Sequence, residues 1–210
     1  QPFGDQLQEM EVKLPSASTY HAGDFYFLSF HGAGISSESH PFSVASAPRS
    51  DEQTVTFLIQ RLGNYTRKLS SIKAGTAVKL EGPFGKFDSL LQTKDGPIIL
   101  YGLGSGVAPL FSLAAQYAGQ KDIHLLWTGP EVGERRLQQR VIKLQKQGVK
   151  VNSQLHRYSE DDLAKLLSAT EIKNGQVVIV GSASLVLTVE RHLRHLGFSR
   201  HQLHDERLTM

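Results

Sequence analysis

Cysteine is absent from the 210 residues. Its absence excludes a disulfide framework, a thiolate zinc site, a cysteine-ligated iron–sulfur cluster and a cysteine nucleophile. Net charge is also scarce: 23 Lys and Arg against 20 Asp and Glu leave +3, and basic residues this dispersed point to no nucleic-acid partner. The opening Gln1-Pro2-Phe3 lacks a basic region followed by an apolar run, so no signal peptide is read there. An opening without Met fits an excised or processed piece of a longer chain. Internal repeats and low-complexity segments are lacking as well. One stretch, between Asp95 and Lys121, carries no charge and is long enough to cross a bilayer. Pro97, Gly102, Gly104, Gly106 and Pro109 punctuate it and make it poor helix material. A buried strand, a glycine turn and a helix account for it better, so no transmembrane segment is read.

What remains is a foldable chain, 40% hydrophobic and 20% charged, long enough for one large domain or two small ones. Up to about residue 90 the pattern is one of short strands, at Asp24 to Phe30, Thr54 to Ile59 and Thr76 to Leu80. Turn residues separate them at His31 to Gly34, Pro48 to Asp51, Ala74-Gly75 and Gly82-Pro83, and a short helix interrupts at Tyr65 to Ile72. This spacing predicts an antiparallel barrel or sandwich. After about residue 95 strand and helix alternate. Strands are expected at Pro97 to Leu103, Ile123 to Thr128, Val149 to Leu155, Gln176 to Val180 and Gln202 to Glu206. Helices are expected at Val107 to Tyr117, Arg135 to Gln147, Glu160 to Leu167 and Leu185 to Leu196. Such alternation predicts a doubly wound parallel α/β sheet. The boundary falls at Gln92 to Gly96, giving residues 1–92 and 93–210.

Three stretches carry candidate chemistry. Gly102-Leu103-Gly104-Ser105-Gly106-Val107-Ala108-Pro109 ends a buried strand and opens a helix. Alternate glycines permit close backbone approach, and the helix start offers unpaired N–H groups, which suits a pyrophosphate. The spacing departs from the usual dinucleotide fingerprint, and no Gly-Lys-Ser/Thr follows as in a P-loop. Gly63-Asn64-Tyr65-Thr66, between Arg61 and Arg67, is either a capped turn or a phosphate site, with Thr66 capping the helix or bonding the phosphate. His40-Pro41-Phe42-Ser43 offers a flat ring and a hydroxyl at the start of a strand, as a planar heterocycle needs.

In this order and spacing, together with Glu81-Gly82-Pro83-Phe84-Gly85, these motifs resemble the dehydrogenase part of ferric reductases and NADPH oxidases, within the ferredoxin–NADP reductase superfamily. The resemblance spans nearly the whole chain. It implies an FAD-binding barrel followed by a domain for NADPH or NADH, with the flavin at their junction. By resemblance, His40, Pro41, Phe42 and Ser43 form the flavin motif, with Ser43 approaching N5. Arg61, Gly63, Tyr65 and Thr66 bind the FAD pyrophosphate, and Gly102, Gly104, Ser105, Gly106 and Pro109 receive the nicotinamide nucleotide. Gly181 and Glu206 complete the cofactor-binding set, while Ser43 and Leu208 are the residues expected beside the reacting ring. Electrons then pass singly to a ferric or other acceptor, or to haem in a membrane domain of a longer parent chain. The location implied is cytoplasmic, or the cytoplasmic face of a membrane.

Two positions depart from the family pattern. Val180-Gly181-Ser182 stands where Cys-Gly-Pro is usual, and Glu206-Arg207-Leu208 where Glu-x-Phe is usual. These losses motivate an alternative, an FAD-binding relay or regulatory domain with weak or no dehydrogenase activity. An unrelated nucleotide-binding α/β domain is a third reading. Arg135 and Arg136 arrive late for a 2′-phosphate contact and read as the solvated start of a helix. His192, His195, His201 and His204 read as a solvated face rather than a metal site.

Overall fold

The computed structural model describes residues 2–3, 7–15, 19–30, 34–49 and 53–208. His31 to Ala33 and Ser50-Asp51, in two of the expected turns, lie outside them. In chain order the elements are β1 (Pro2–Phe3), β2 (Leu7–Lys13), β3 (Phe25–Phe30), β4 (His40–Ser43), β5 (Thr54–Gln60), α1 (Asn64–Lys68), β6 (Val78–Phe84), α2 (Phe87–Gln92) and β7 (Ile98–Leu103). There follow α3 (Val107–Tyr117), β8 (Ile123–Thr128), α4 (Arg135–Lys146), β9 (Lys150–Gln154), α5 (Glu160–Leu166), α6 (Ala169–Asn174), β10 (Gln176–Ser182), α7 (Ala183–His195) and β11 (Leu203–Leu208).

The first half forms two antiparallel three-stranded sheets, ordered β1-β2-β5 and β4-β3-β6. A bridge between Val44 and Phe57 joins them. Alternation decides what they enclose: Tyr26, Leu28 and Phe30 of β3 and Val55, Phe57 and Ile59 of β5 share one core. Phe25 and Phe27 point the other way. Strand β6 runs on through Gly82-Pro83, where a turn was expected. Among the described residues its only partner is β3, and the pairing shifts between Phe25 and Phe27. Proline is tolerated on such an edge strand beside a bulge.

The second half is a five-stranded parallel sheet, β11-β10-β7-β8-β9, with helices on both faces. Alternate residues of the central strands serve opposite cores. Leu100, Leu125 and Val178 pack under α3 and α4, while Tyr101, Leu126 and Ile179 pack under α5 and α7. On α7 the buried face is Val186, Val189 and Leu193. The first of these cores does not stop at the sheet. Leu7, Ala22, Ala45 and Leu58 of the antiparallel half belong to the same cluster as Ala108 and Phe111 of α3. Polar contacts reinforce that seam. The Ser112 hydroxyl donates to the Ser46 carbonyl at 2.9 Å and accepts from the Gly23 N–H at 3.2 Å, and Arg140 reaches both the Ala45 carbonyl and Glu9.

No helix among the described residues is long and apolar enough to cross a membrane.

Candidate functional site

The motifs from the two halves meet in one cavity of about 610 Å³. Its wall includes His40, Pro41, Phe42 and Ser43 of β4, Gly63, Asn64, Tyr65 and Thr66 at the start of α1, Ser105 of the glycine turn, and Glu206, Arg207 and Leu208 of β11. Such a space, apolar with a few convergent polar groups, is the usual form of a cofactor site. The outward side of β3 supplies the apolar wall. Phe25 and Phe27 lie edge to face with ring centroids 5.7 Å apart, and Phe84 completes a trio at 5.6 and 5.9 Å.

Several polar groups on this side lack a hydrogen-bond partner among the described residues. The imidazole of His40 lies 3.8 Å from the Tyr65 ring, centroid to centroid. Its Nε2 sits 3.6 Å from Glu38, beyond hydrogen-bond reach. His40 Nε2, the Tyr65 hydroxyl and Arg61 Nε are buried with no hydrogen-bond partner among the described residues. Burial pushes the Tyr65 hydroxyl up, so it stays a donor. Buried polar atoms are normally paired, and this set matches what an anionic group such as a diphosphate would satisfy. Arg61 itself flanks the cavity wall rather than lining it.

The Thr66 hydroxyl is occupied locally. It accepts from the Leu62 and Gly63 N–H groups, each at 3.1 Å, and donates to the Gly63 carbonyl at 3.2 Å. Thr66 thereby shapes the loop that presents Gly63 and Tyr65.

At the other end of the cavity, the Ser43 hydroxyl donates to Glu206 Oε1 at 3.2 Å, across 163 positions of sequence. Burial pushes the Glu206 carboxyl up, while the Ser43 bond and the Lys86 charge pull it the other way. Parallel pairing of β10 with β11 sets Val180 beside Glu206 and Ser182 beside Leu208. Val180 is fully buried in the core under α3, whereas Leu208 lines the cavity.

The glycine turn has a mixed role. A Cβ at Gly102 would stand 3.0 Å from Val107 Cα, one at Gly106 2.3 Å from the Val180 carbonyl oxygen, and one at Gly181 2.6 Å from Leu103 Cβ. These three glycines are required by packing between β7, β10 and α3. Gly104 has φ +60°, a conformation glycine adopts at little cost. Pro109 sits buried in the first turn of α3, where its missing N–H costs nothing. Only Ser105 and Ala108 of this motif reach the cavity.

Sequence reasoning missed four residues here. Phe25 and Phe27 were legible as strand but not as a cavity wall. The other two, Gln60 and Glu131, complete a chain with Ser105. The Ser105 hydroxyl donates to Gln60 Oε1 at 3.0 Å, and Gln60 Nε2 donates to Glu131 Oε1 at 3.0 Å. Glu131 is 1% exposed, burial pushes its carboxyl up, and its Oε2 has no hydrogen-bond partner among the described residues.

The family described as FAD-binding domain matches residues 2–130, more than half of the chain. The chain belongs to the FAD-binding domain family. This FAD-binding domain is 36% identical over 78 residues to the electron transfer subunit of dihydroorotate dehydrogenase B (NAD(+)) from Fusobacterium nucleatum, covering 37% of this chain and 30% of that protein. To ferric reduction oxidase 5 of Arabidopsis thaliana it is 31% identical over 109 residues, 50% of this chain and 15% of that protein. It thus spans well under half the length of these curated relatives. The flavohem-like FAD/NAD binding domain of nitric oxide dioxygenase from Vibrio cholerae O1 biovar El Tor shares the fold, with a TM-score of 0.82 at 19% identity over 99% of this chain and 94% of that one.

Proposed function

We propose that this FAD-binding domain is a reductase module that takes a hydride from NADPH or NADH onto FAD and hands electrons singly to an acceptor. In this reading the acceptor is haem, ferric iron or another group. The observation carrying the reading is the single cavity that gathers His40–Ser43, Gly63–Thr66, Ser105 and Glu206–Leu208 from both ends of the chain. Bound FAD supplies a ring that accepts a hydride and releases electrons one at a time.

The chain's own residues do the positioning. Phe25, Phe27 and Phe42 give a flat cofactor an apolar wall. Arg61, Tyr65 and His40 offer unpaired polar atoms to a diphosphate. Ser43, its hydroxyl donating to Glu206, lines the same cavity that Ser105 reaches from the glycine turn. We assign residues 1–92 to flavin binding and residues 93–210 to the nicotinamide nucleotide, which would approach over Gly104 to Gly106. Holding donor and acceptor at roughly 3–3.5 Å is worth several orders of magnitude in rate.

Anaerobic titration of the FAD-loaded protein with NADPH and then NADH tests this. Bleaching of the visible flavin band is expected, and the two nucleotides will differ in the concentration needed. Flavin that stays bound and oxidised with both would sink the dehydrogenase reading.

A second reading, an FAD-holding relay or regulatory domain, draws on Leu208, an aliphatic cavity residue where the resembled family stacks a ring. Leu208→Phe is expected to speed flavin reduction roughly 3- to 10-fold, the equivalent of ~0.5–1.5 kcal/mol of ring contact. Stopped-flow absorbance measures it. An unchanged rate would mean that Leu208 does not limit the transfer.

A further inference from the structure

We propose that Glu131 is a positioning residue for the nicotinamide nucleotide, acting through Gln60 to fix the glycine turn against the flavin cavity. The inference rests on the dehydrogenase reading above. Three elements far apart in sequence converge on one amide. Gln60 ends β5 in the antiparallel half and lines the cavity. Ser105 is the middle residue of the turn Gly104–Gly106. Glu131 lies in the short helical turn Pro130–Gly133 that follows β8. With Oε1 accepting from Ser105 and Nε2 donating to Glu131, the Gln60 amide is engaged at both ends, so neither end is free to rotate without breaking a bond.

The surroundings show that the carboxyl was fitted to this place. Gly129 has φ +152°, and a Cβ there would stand 2.7 Å from Glu131 Oε2 and 2.9 Å from Gly104 Cα. Gly104 and Gly129 follow β7 and β8, which are paired to their last residues at Leu103 and Thr128. A Cβ at Gly104 would in turn stand 3.9 Å from Glu131 Oε2, so the carboxyl lies beside the turn that Ser105 belongs to. A buried acid that served packing alone would be better replaced by an apolar side chain of similar size. Here it supplies the acceptor that keeps Gln60, and through it Ser105, in one orientation. Trp127, the chain's single tryptophan, donates its indole N–H to the Gly104 carbonyl at 3.2 Å and so reports on the same turn.

The test uses FAD-loaded protein and oxidised nucleotide, NADP+ and NAD+ in separate titrations, read by calorimetry and by Trp127 fluorescence. Steady-state kinetics with the reduced forms accompany them. Loosening the turn by removing its tether is expected to raise the nucleotide Kd and KM by about 10-fold in Glu131→Ala and in Gln60→Ala, with a smaller fall in kcat. Because both act through one chain of bonds, the double variant is expected to be no worse than the poorer single one. Glu131→Gln, which keeps an acceptor oxygen for Gln60 Nε2, is expected to stay within about 2-fold of the parent. Should Glu131→Ala not fold, Gln60→Ala and Glu131→Met carry the same comparison. Affinities within 2-fold of the parent in Glu131→Ala and Gln60→Ala would overturn the inference. So would effects that multiply in the double variant, or a Glu131→Gln as impaired as Glu131→Ala. A parent protein that binds FAD but is neither titrated by oxidised nucleotide nor bleached by the reduced form overturns the dehydrogenase reading, and this inference with it.

Discussion

Gly63→Leu is expected to weaken FAD binding by at least ~100-fold, about 2.7 kcal/mol, while leaving the apoprotein folded. The backbone at Gly63 has φ −102° and ψ 174°, extended geometry open to any residue. A Cβ built there meets nothing within 4 Å. Among the described residues nothing requires glycine at this position, and Gly63 is one of the residues lining the cavity. Leucine is a poorer N-cap than glycine by about 1 kcal/mol, so the apoprotein's Tm should fall by no more than ~4 °C. Flavin fluorescence quenching and thermal melts separate the two effects. FAD affinity equal to that of the parent would remove Gly63 from the cofactor's footprint.

Gly106→Ala should behave in the opposite way. Its backbone, φ −59° and ψ −9°, is also ordinary, yet the added methyl would lie 2.3 Å from the Val180 carbonyl oxygen and 2.7 Å from its carbon. Those are backbone atoms of a central strand paired on both sides, so they cannot give way as the tip of a flexible side chain would. Overpacking of this kind costs about 3 kcal/mol, and for a chain of this size the Tm should drop by about 6–12 °C. Calorimetry of the apoprotein measures it directly. A melting temperature within 2 °C of the parent would show that β10 can shift, and that the strand–helix contact is looser than the distances imply.

These two glycines also show how far the residues could be read without coordinates. Both looked alike in the sequence, as permissive positions in loops beside a helix. Gly106 is pressed by the backbone of Val180, more than seventy positions away, while Gly63 has open space beside it, and no local pattern carries that difference. Elements with a strong period were legible. Strands β7 and β8 and helices α3 and α4 lie within a residue or two of their expected bounds, because continuous apolar strands and a 3.6-residue stripe have few alternative readings.

Strand β2 was not anticipated. Its buried residues are Leu7, Gln8 and Val12, and the Gln8 Nε2 donates to the Leu69 carbonyl at 3.0 Å. Alternation in hydrophobicity is blurred when a partnered polar side chain takes a core position. Helices α2 and α6 are six residues each, too short to establish a period. At the site, the motif residues of β4 and α1 were picked out as a group and do share a cavity. Glu131 could not be found that way: after Gly129-Pro130, an acidic residue reads as a solvated turn. Only the fold reveals that it points inward to Gln60.

The cluster that runs from Leu7, Ala45 and Leu58 into Ala108 and Phe111 has a consequence for how such a protein works. Parting the halves would expose that shared apolar packing to water, a cost that favours one fixed spacing between them. In the proposed function, nucleotide and electron acceptor would then both have to reach a flavin site whose two halves keep one spacing.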